Sequence, residues 1–195
     1  MRVREPTELE RFLAALTTEL GRVGLPFMLI GGQAVVVHGV IRVTEDVDAT
    51  LAADPGRLAS VLEACAALGL VPIPKDVQPF VAETFVLPAR HAGTGVRVDF
   101  IFSSTTYERQ AIARAGTIDL AGTPVPFAAA EDLIIHKLFA ARPRDLEDVR
   151  GVVLRKGDAL DWAYMEKWAR EFAGVPGREG MPAMLAELRR SVTKQ

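Results

Sequence analysis

An α+β fold is predicted for this chain: a small mixed β-sheet with flanking helices, followed by a helical subdomain. Three observations predict it. Short apolar runs of strand length recur between Phe27 and Phe127. Glycine and proline punctuate them closely. From Ala130 onward the pattern changes to segments of helical length, over 130–142, 145–156, 159–173 and 182–193. The expected division is a core over 1–128 and a helical subdomain over 129–195, packed on that core.

Each element has its own signal. Glu8 to Val23 carries Leu9, Phe12, Leu13, Leu16 and Leu20 on one stripe, which predicts an amphipathic helix ended by Gly24. Phe27 to Ile30 is a continuous apolar run, as in a buried strand. Gly31-Gly32 breaks it, and Gln33 to His38 suits a short helix. Val43 to Ala52 reads as a second strand. Pro55 opens a helix over Gly56 to Leu68, stopped by Gly69. Phe80 to Leu87 and Val96 to Phe102 are expected to form a hairpin, with His91 to Gly95 in the turn. Thr117 to Leu120 and Thr123 to Phe127 form a smaller extended pair around Gly122.

Composition narrows the function. Of 195 residues, 49% are hydrophobic and 25% charged, so a sizeable core is expected. The formal net charge of -2 excludes a protein that grips nucleic acid by bulk positive charge. The charge is uneven, however. Residues 136–195 carry 12 Lys and Arg against 9 Asp and Glu, whereas residues 1–135 carry 11 against 16. A single cysteine, Cys65, excludes an internal disulfide framework and suits a reducing compartment. No membrane span or signal-peptide apolar region is read, and the expected location is the cytoplasm.

The most informative stretch is Leu29-Ile30-Gly31-Gly32 followed by Thr44-Glu45-Asp46-Val47-Asp48. On a strand, Asp46 and Asp48 point to one face, and Val47 and Ala49 to the other. Two carboxylates so placed repel unless a cation intervenes. Oxygen ligands favour Mg²⁺ or Mn²⁺. Asp99 stands alone among apolar residues in Val96 to Phe102, so it is expected to be paired, exposed or metal-bound. If its strand lies beside the Asp46–Asp48 strand, three carboxylates converge, which suits phosphoryl chemistry. Gly31-Gly32 lets backbone N–H groups approach a phosphate.

This ordered set resembles the DNA polymerase β-like nucleotidyltransferases. Arg42-x-Thr44-x-Asp46-x-Asp48 and Glu131-Asp132-Leu133-Ile134-x-x-Lys137-Leu138, followed by Arg144-Asp145-x-x-Asp148, are similar to the AbiEii-like group, which includes toxins of toxin–antitoxin systems. The resemblance covers roughly Phe27 to Val149. It implies an NTP substrate such as ATP, Mg²⁺ (or Mn²⁺), and transfer of a nucleotide to an acceptor hydroxyl. It implies Asp46, Asp48 and Asp99 as catalytic metal ligands and Gly31 and Gly32 as the phosphate-binding turn. Lys137 and Asp145 match a helical-domain pair near the nucleotide. The acceptor is RNA, as in a toxin acting on tRNA with an antitoxin partner, or a small hydroxylated molecule, as in an antibiotic-modifying enzyme. One departure is Gly32, where other branches carry Ser.

Other readings stay open beside these. Arg42 suits a triphosphate contact or an ion pair with Glu45 or Asp46. Thr44 suits a bond to the metal-site carboxylates, or an ordinary strand position. Lys137 suits a phosphate contact, or a stem snorkelling to solvent. Asp145 and Asp148 also complement a helix dipole. His38, His91 and His136 have no partner at metal-ligand spacing. Trp162, Tyr164 and Trp168 are spaced to pack on a helix rather than stack on bases. A non-catalytic nucleotide- or partner-binding module of the same fold is the alternative of a different class.

Overall fold

The computed structural model describes residues 4–44 and 46–192. Two compact units are present. One comprises the described residues through Gln33 together with Val43–Ala128; the other comprises Ala34–Arg42 with the residues from Ala129 onward.

In the first unit, seven strands form one mixed sheet among the described residues, in the order β3-β4-β5-β2-β1-β7-β6. The chain enters through helix α1 (Glu8–Arg22). Thr7 caps it in a reciprocal box: its hydroxyl accepts from the Glu10 backbone N–H at 3.2 Å, and the Glu10 carboxylate accepts from the Thr7 N–H at 2.7 Å. Phe12, Leu13, Leu16 and Leu20 of the predicted stripe are buried. Strand β1 (Phe27–Ile30) is buried along its whole length, as a central strand should be. It pairs antiparallel with β2 (Asp46–Ala52) and parallel with β7 (Thr123–Phe127). Helix α2 (Gly31–Val37) follows β1 directly.

After β2, Pro55–Arg57 forms a short 3-10 turn capped by Asp54, and α3 (Leu58–Ala67) completes the predicted helix. Strand β5 (Arg97–Ser103) lies parallel to β2 and antiparallel to β4 (Val86–His91). The expected turn joins β4 to β5, closed by Gly95 N–H to His91 O at 2.9 Å. The first arm of that hairpin is corrected. Residues Val77–Thr84 form helix α4, not a strand. Pro79 falls in the first turn, where its missing N–H costs nothing. The Thr84 hydroxyl bonds back to Phe80 O at 2.8 Å, and Phe85 at φ 57° ends the helix in a left-handed residue.

Two further elements, absent from the sequence reading, are β3 (Leu70–Pro72) and α5 (Thr106–Ala113). Strand β3 is a three-residue edge strand, too short for an alternation to appear. Strand β6 (Gly116–Leu120) pairs with β7 as predicted, through Ala121 and Gly122, both at positive φ.

The second unit holds α6 (Ala130–Ala140), α7 (Pro143–Lys156), α8 (Trp162–Phe172) and α9 (Met181–Val192). Its core is Leu133, Ile134, Leu138, Val149, Val152, Val153, Met165, Met181 and Leu185. Ala141 at φ 53° and Pro143 separate α6 from α7. The segment after α2 packs on α7 at Gly151, where a Cβ would stand 3.0 Å from Val40. As expected, the aromatic residues of α8 pack: Trp162 is buried, and the Trp168 ring tilts over Phe172 at 5.9 Å. Among the described residues, no helix is long and apolar enough to cross a membrane.

Candidate functional site

Alternation along two adjacent strands builds the candidate site. On β2 and β5, Val47, Ala49, Leu51, Val98, Phe100 and Phe102 fill the core. Asp46, Asp48, Arg97 and Asp99 therefore project from the opposite face. The parallel register sets Asp46 beside Arg97 and Asp48 beside Asp99. The antiparallel register sets Asp48 beside Ile30, the last residue of β1, so the chain turns at Gly31 against the Asp48 side chain.

That turn is why residue 31 is glycine. Its φ is +64°, a conformation that side chains resist, and a Cβ there would overlap Asp48 Oδ2 and stand 2.8 Å from its Cγ. Gly32 is constrained differently. A Cβ at Gly32 would overlap the Thr44 hydroxyl and stand 2.8 Å from Thr44 Cβ. The Thr44 side chain thus occupies the space into which a serine at position 32 would project. Gln33 Nε2 donates to the Asp46 carbonyl at 3.5 Å, tying α2 to the start of β2.

The cation within this cluster is Arg97, which the sequence reading missed. Its Nε donates to Asp99 Oδ1 at 2.9 Å and its Nη2 to Asp99 Oδ2 at 3.1 Å. The Asp99 hydrogen bonds raise the guanidinium pKa above its ordinary value, with smaller contributions from the charges of Asp99, Asp46 and Asp48. The signal was present: Arg97-x-Asp99 has the same two-residue spacing as Asp46-x-Asp48. Among the described residues, no three acidic, histidine or cysteine side chains are gathered closely enough to enclose a metal ion. The donor set, on its chemistry alone, suits a hard divalent ion. It consists of hard oxygen donors on one face, with a guanidinium as stand-in cation.

The remaining predicted residues lie in the second unit, around a buried ion network. Lys137 on α6 donates to Asp145 Oδ1 at 3.0 Å and to Asp148 Oδ2 at 2.7 Å, both on α7. Arg142 donates to Asp145 Oδ2 at 2.6 Å. Arg42 pairs with Asp148; of the two partners expected for it, Asp46 is not the one it takes, and Glu45 lies outside the described residues. Lys137, Asp145 and Asp148 are all buried, so the Lys137 stem does not snorkel its charge into solvent. Burial alone would push the Asp145 pKa upward. Hydrogen bonds from Arg142 and Lys137 outweigh it and hold the carboxyl below its ordinary value. The network ties α6, α7 and the segment ending at Arg42 together. The sequence reading did not assign that role, and it stands beside the nucleotide contact implied by the resemblance.

A mixed sheet that carries Asp-x-Asp on one strand, a third aspartate on its parallel neighbour and a Gly-Gly turn against them defines the nucleotidyltransferase class of fold. The chain belongs to a family described as nucleotidyltransferase of unknown function (DUF6036), whose sequence pattern spans residues 7–179. Solved structures share the fold. The antibiotic-resistance factor ANT(2'')-Ia is 15% identical, with 97% of each chain covered and a TM-score of 0.57. An antigenic nucleotidyltransferase-like protein from Paracoccidioides brasiliensis is 15% identical, covering 96% of this chain and 91% of its own, with a TM-score of 0.59. The lincosamide antibiotic adenylyltransferase LnuA is 14% identical, covering 76% of this chain and 98% of its own, with a TM-score of 0.51. No curated protein matches this chain.

Proposed function

We propose that this protein transfers a nucleotide from an NTP to an acceptor hydroxyl and releases pyrophosphate, with Mg²⁺ or Mn²⁺ as cofactor. One observation carries the reading: Asp46, Asp48 and Asp99 share one sheet face, and Gly31 brings the backbone against Asp48. Asp46 and Asp48 would hold the ion, with Asp99 as the third ligand. A bound divalent ion supplies charge neutralisation and polarisation of the phosphate oxygens. The backbone at Gly31 and Gly32 receives the triphosphate, and the Thr44 hydroxyl stands at the same turn. In the reaction the acceptor oxygen bonds to the α-phosphorus, the bond to the β-phosphate oxygen breaks, and Asp99 takes the acceptor's proton.

We take RNA, with the tRNA 3′ end foremost, as the acceptor, following the AbiEii-like resemblance. In that reading the protein is a cytoplasmic toxin with an antitoxin partner, and ATP is one candidate donor. Lys137, Asp145 and Arg42, which the resemblance offers as nucleotide contacts, hold the second unit in shape. A small-molecule acceptor is the second reading. It is favoured by the end-to-end fold likeness to ANT(2'')-Ia, which is also known in complex with adenylyl-2''-tobramycin.

The test incubates the protein with Mn²⁺, each α-labelled NTP, and either total RNA or a panel of hydroxylated small molecules. Label is expected on one acceptor class, and Asp46→Ala and Asp99→Ala are each expected to abolish it. Tight NTP binding with no labelled acceptor would instead support a non-catalytic binding module.

A further inference from the structure

Arg97 has a position that the proposed reaction does not use. Its Nε and Nη2 both donate to Asp99, and each Asp99 oxygen accepts one of these bonds. Asp46 is its direct neighbour across the strand pair, and Asp48 is the direct neighbour of Asp99. The guanidinium is thus a monovalent cation bonded to Asp99 on the face that also carries Asp46 and Asp48, whose charges reach it. It also borders a pocket of ≈ 250 Å³ lined by Thr44, Asp46, Arg90, Thr94 and Gly95. Arg90 lies opposite Arg97 in the β4–β5 register, and its Nη1 donates to the Gly95 carbonyl at 2.8 Å. Arg97 is 40% exposed in its side chain, so it can turn outward without being stripped from a packed core.

We propose that Arg97 is a positioning residue that competes with the divalent ion for Asp99. While the guanidinium holds both Asp99 oxygens, the ion meets only the Asp46 and Asp48 carboxylates. When the ion takes Asp99, Arg97 is released toward the pocket it shares with Arg90, where two guanidinium groups face an anionic ligand. Ion loading and the appearance of a free arginine beside the carboxylates are then one event. This inference rests on the metal-dependent reading above and adds to it an internal competitor that sets metal affinity.

The test is direct Mn²⁺ binding to the full chain, read from the electron paramagnetic resonance signal of free Mn²⁺, with no substrate present. Circular dichroism checks that each variant is folded. Arg97→Met removes the competitor and is expected to tighten Mn²⁺ binding by about tenfold or more, the scale on which one neighbouring charge shifts a carboxylate equilibrium. Arg97→Lys keeps a cation and is expected to stay close to wild type. Asp46→Asn and Asp99→Asn are expected to weaken binding. If Arg97→Met binds Mn²⁺ no more tightly than wild type while Asp46→Asn and Asp99→Asn weaken it, the competition is overturned and the metal site stands. If neither Asp46→Asn nor Asp99→Asn changes Mn²⁺ binding, the competition and the metal reading fall together.

Discussion

Gly31 and Gly32 are adjacent, yet different neighbours hold them in place. Gly31→Ala forces a left-handed L-residue, costing about 1–2 kcal/mol, and drives a methyl into Asp48. Transfer activity is expected to vanish, and the thermal midpoint to fall, in a melting experiment. Gly32 answers to Thr44. Gly32→Ser is expected to destabilise the wild-type background and to be largely relieved by Thr44→Gly, with a coupling energy of about 1 kcal/mol or more in a double-mutant cycle. Additive effects would contradict the interlock. The serine of other branches therefore has a steric reason to be missing here. That reason was invisible in the sequence, because positions 32 and 44 meet only through the fold. Asp46, Asp48 and Asp99 were legible, since a period of two assigns a strand's faces without further information. Arg97 had the same period but needed the β2–β5 register to acquire its meaning.

Among the elements, α6 and α7 are joined by charge as well as by apolar contact. Removing one partner of a buried pair leaves its neighbours charged and unsolvated. Lys137→Met is therefore expected to lower unfolding free energy by about 3–5 kcal/mol in urea titrations, since Asp145 and Asp148 both lose their shared ammonium. A change within a few tenths of a kcal/mol would mean that the network contributes nothing.

The same helices set a pH dependence. Burial pushes the His136 pKa down from 6.5 to about 4. The unfolded chain then binds more protons between those values, so stability from neutral His136 is complete above 6.5 and is lost as pH falls toward 4. Asp145 acts in the same direction at lower pH, because its folded pKa is held below its ordinary value. The urea midpoint is expected to be lower at pH 5 than at pH 7, and His136→Gln is expected to flatten that interval. Helix α4 shows the limit of element-level reading. A short apolar run such as Phe80 to Leu87 fits either period, and the left-handed Phe85 that divides it carries no sequence signature.

For the whole molecule, the division of charge takes on a different meaning once partners are known. The excess of cations in the last sixty or so residues first reads as a surface for a polyanion. Part of it is already paired within the fold: Lys137 is buried against Asp145 and Asp148, and Arg142, although exposed, pairs with Asp145. The acidic excess of the remainder includes Asp46, Asp48 and Asp99, offset locally by Arg97. Cys65, buried in α3, has its thiol pKa pushed up to about 12 by burial. A thiol reagent is expected to leave the native protein unmodified and to label it once it is unfolded; rapid native labelling would contradict the packing around α3.

On the proposed function, one face of the mixed sheet performs nucleotidyl transfer. The product balance of the wild-type protein, incubated with Mn²⁺, an NTP and the acceptor class that takes label, tests it. Nucleotide incorporated and pyrophosphate released are expected in equal amounts, and both are expected to disappear in Asp48→Asn. Release of orthophosphate without incorporated nucleotide, or incorporation that survives Asp48→Asn, would contradict the account.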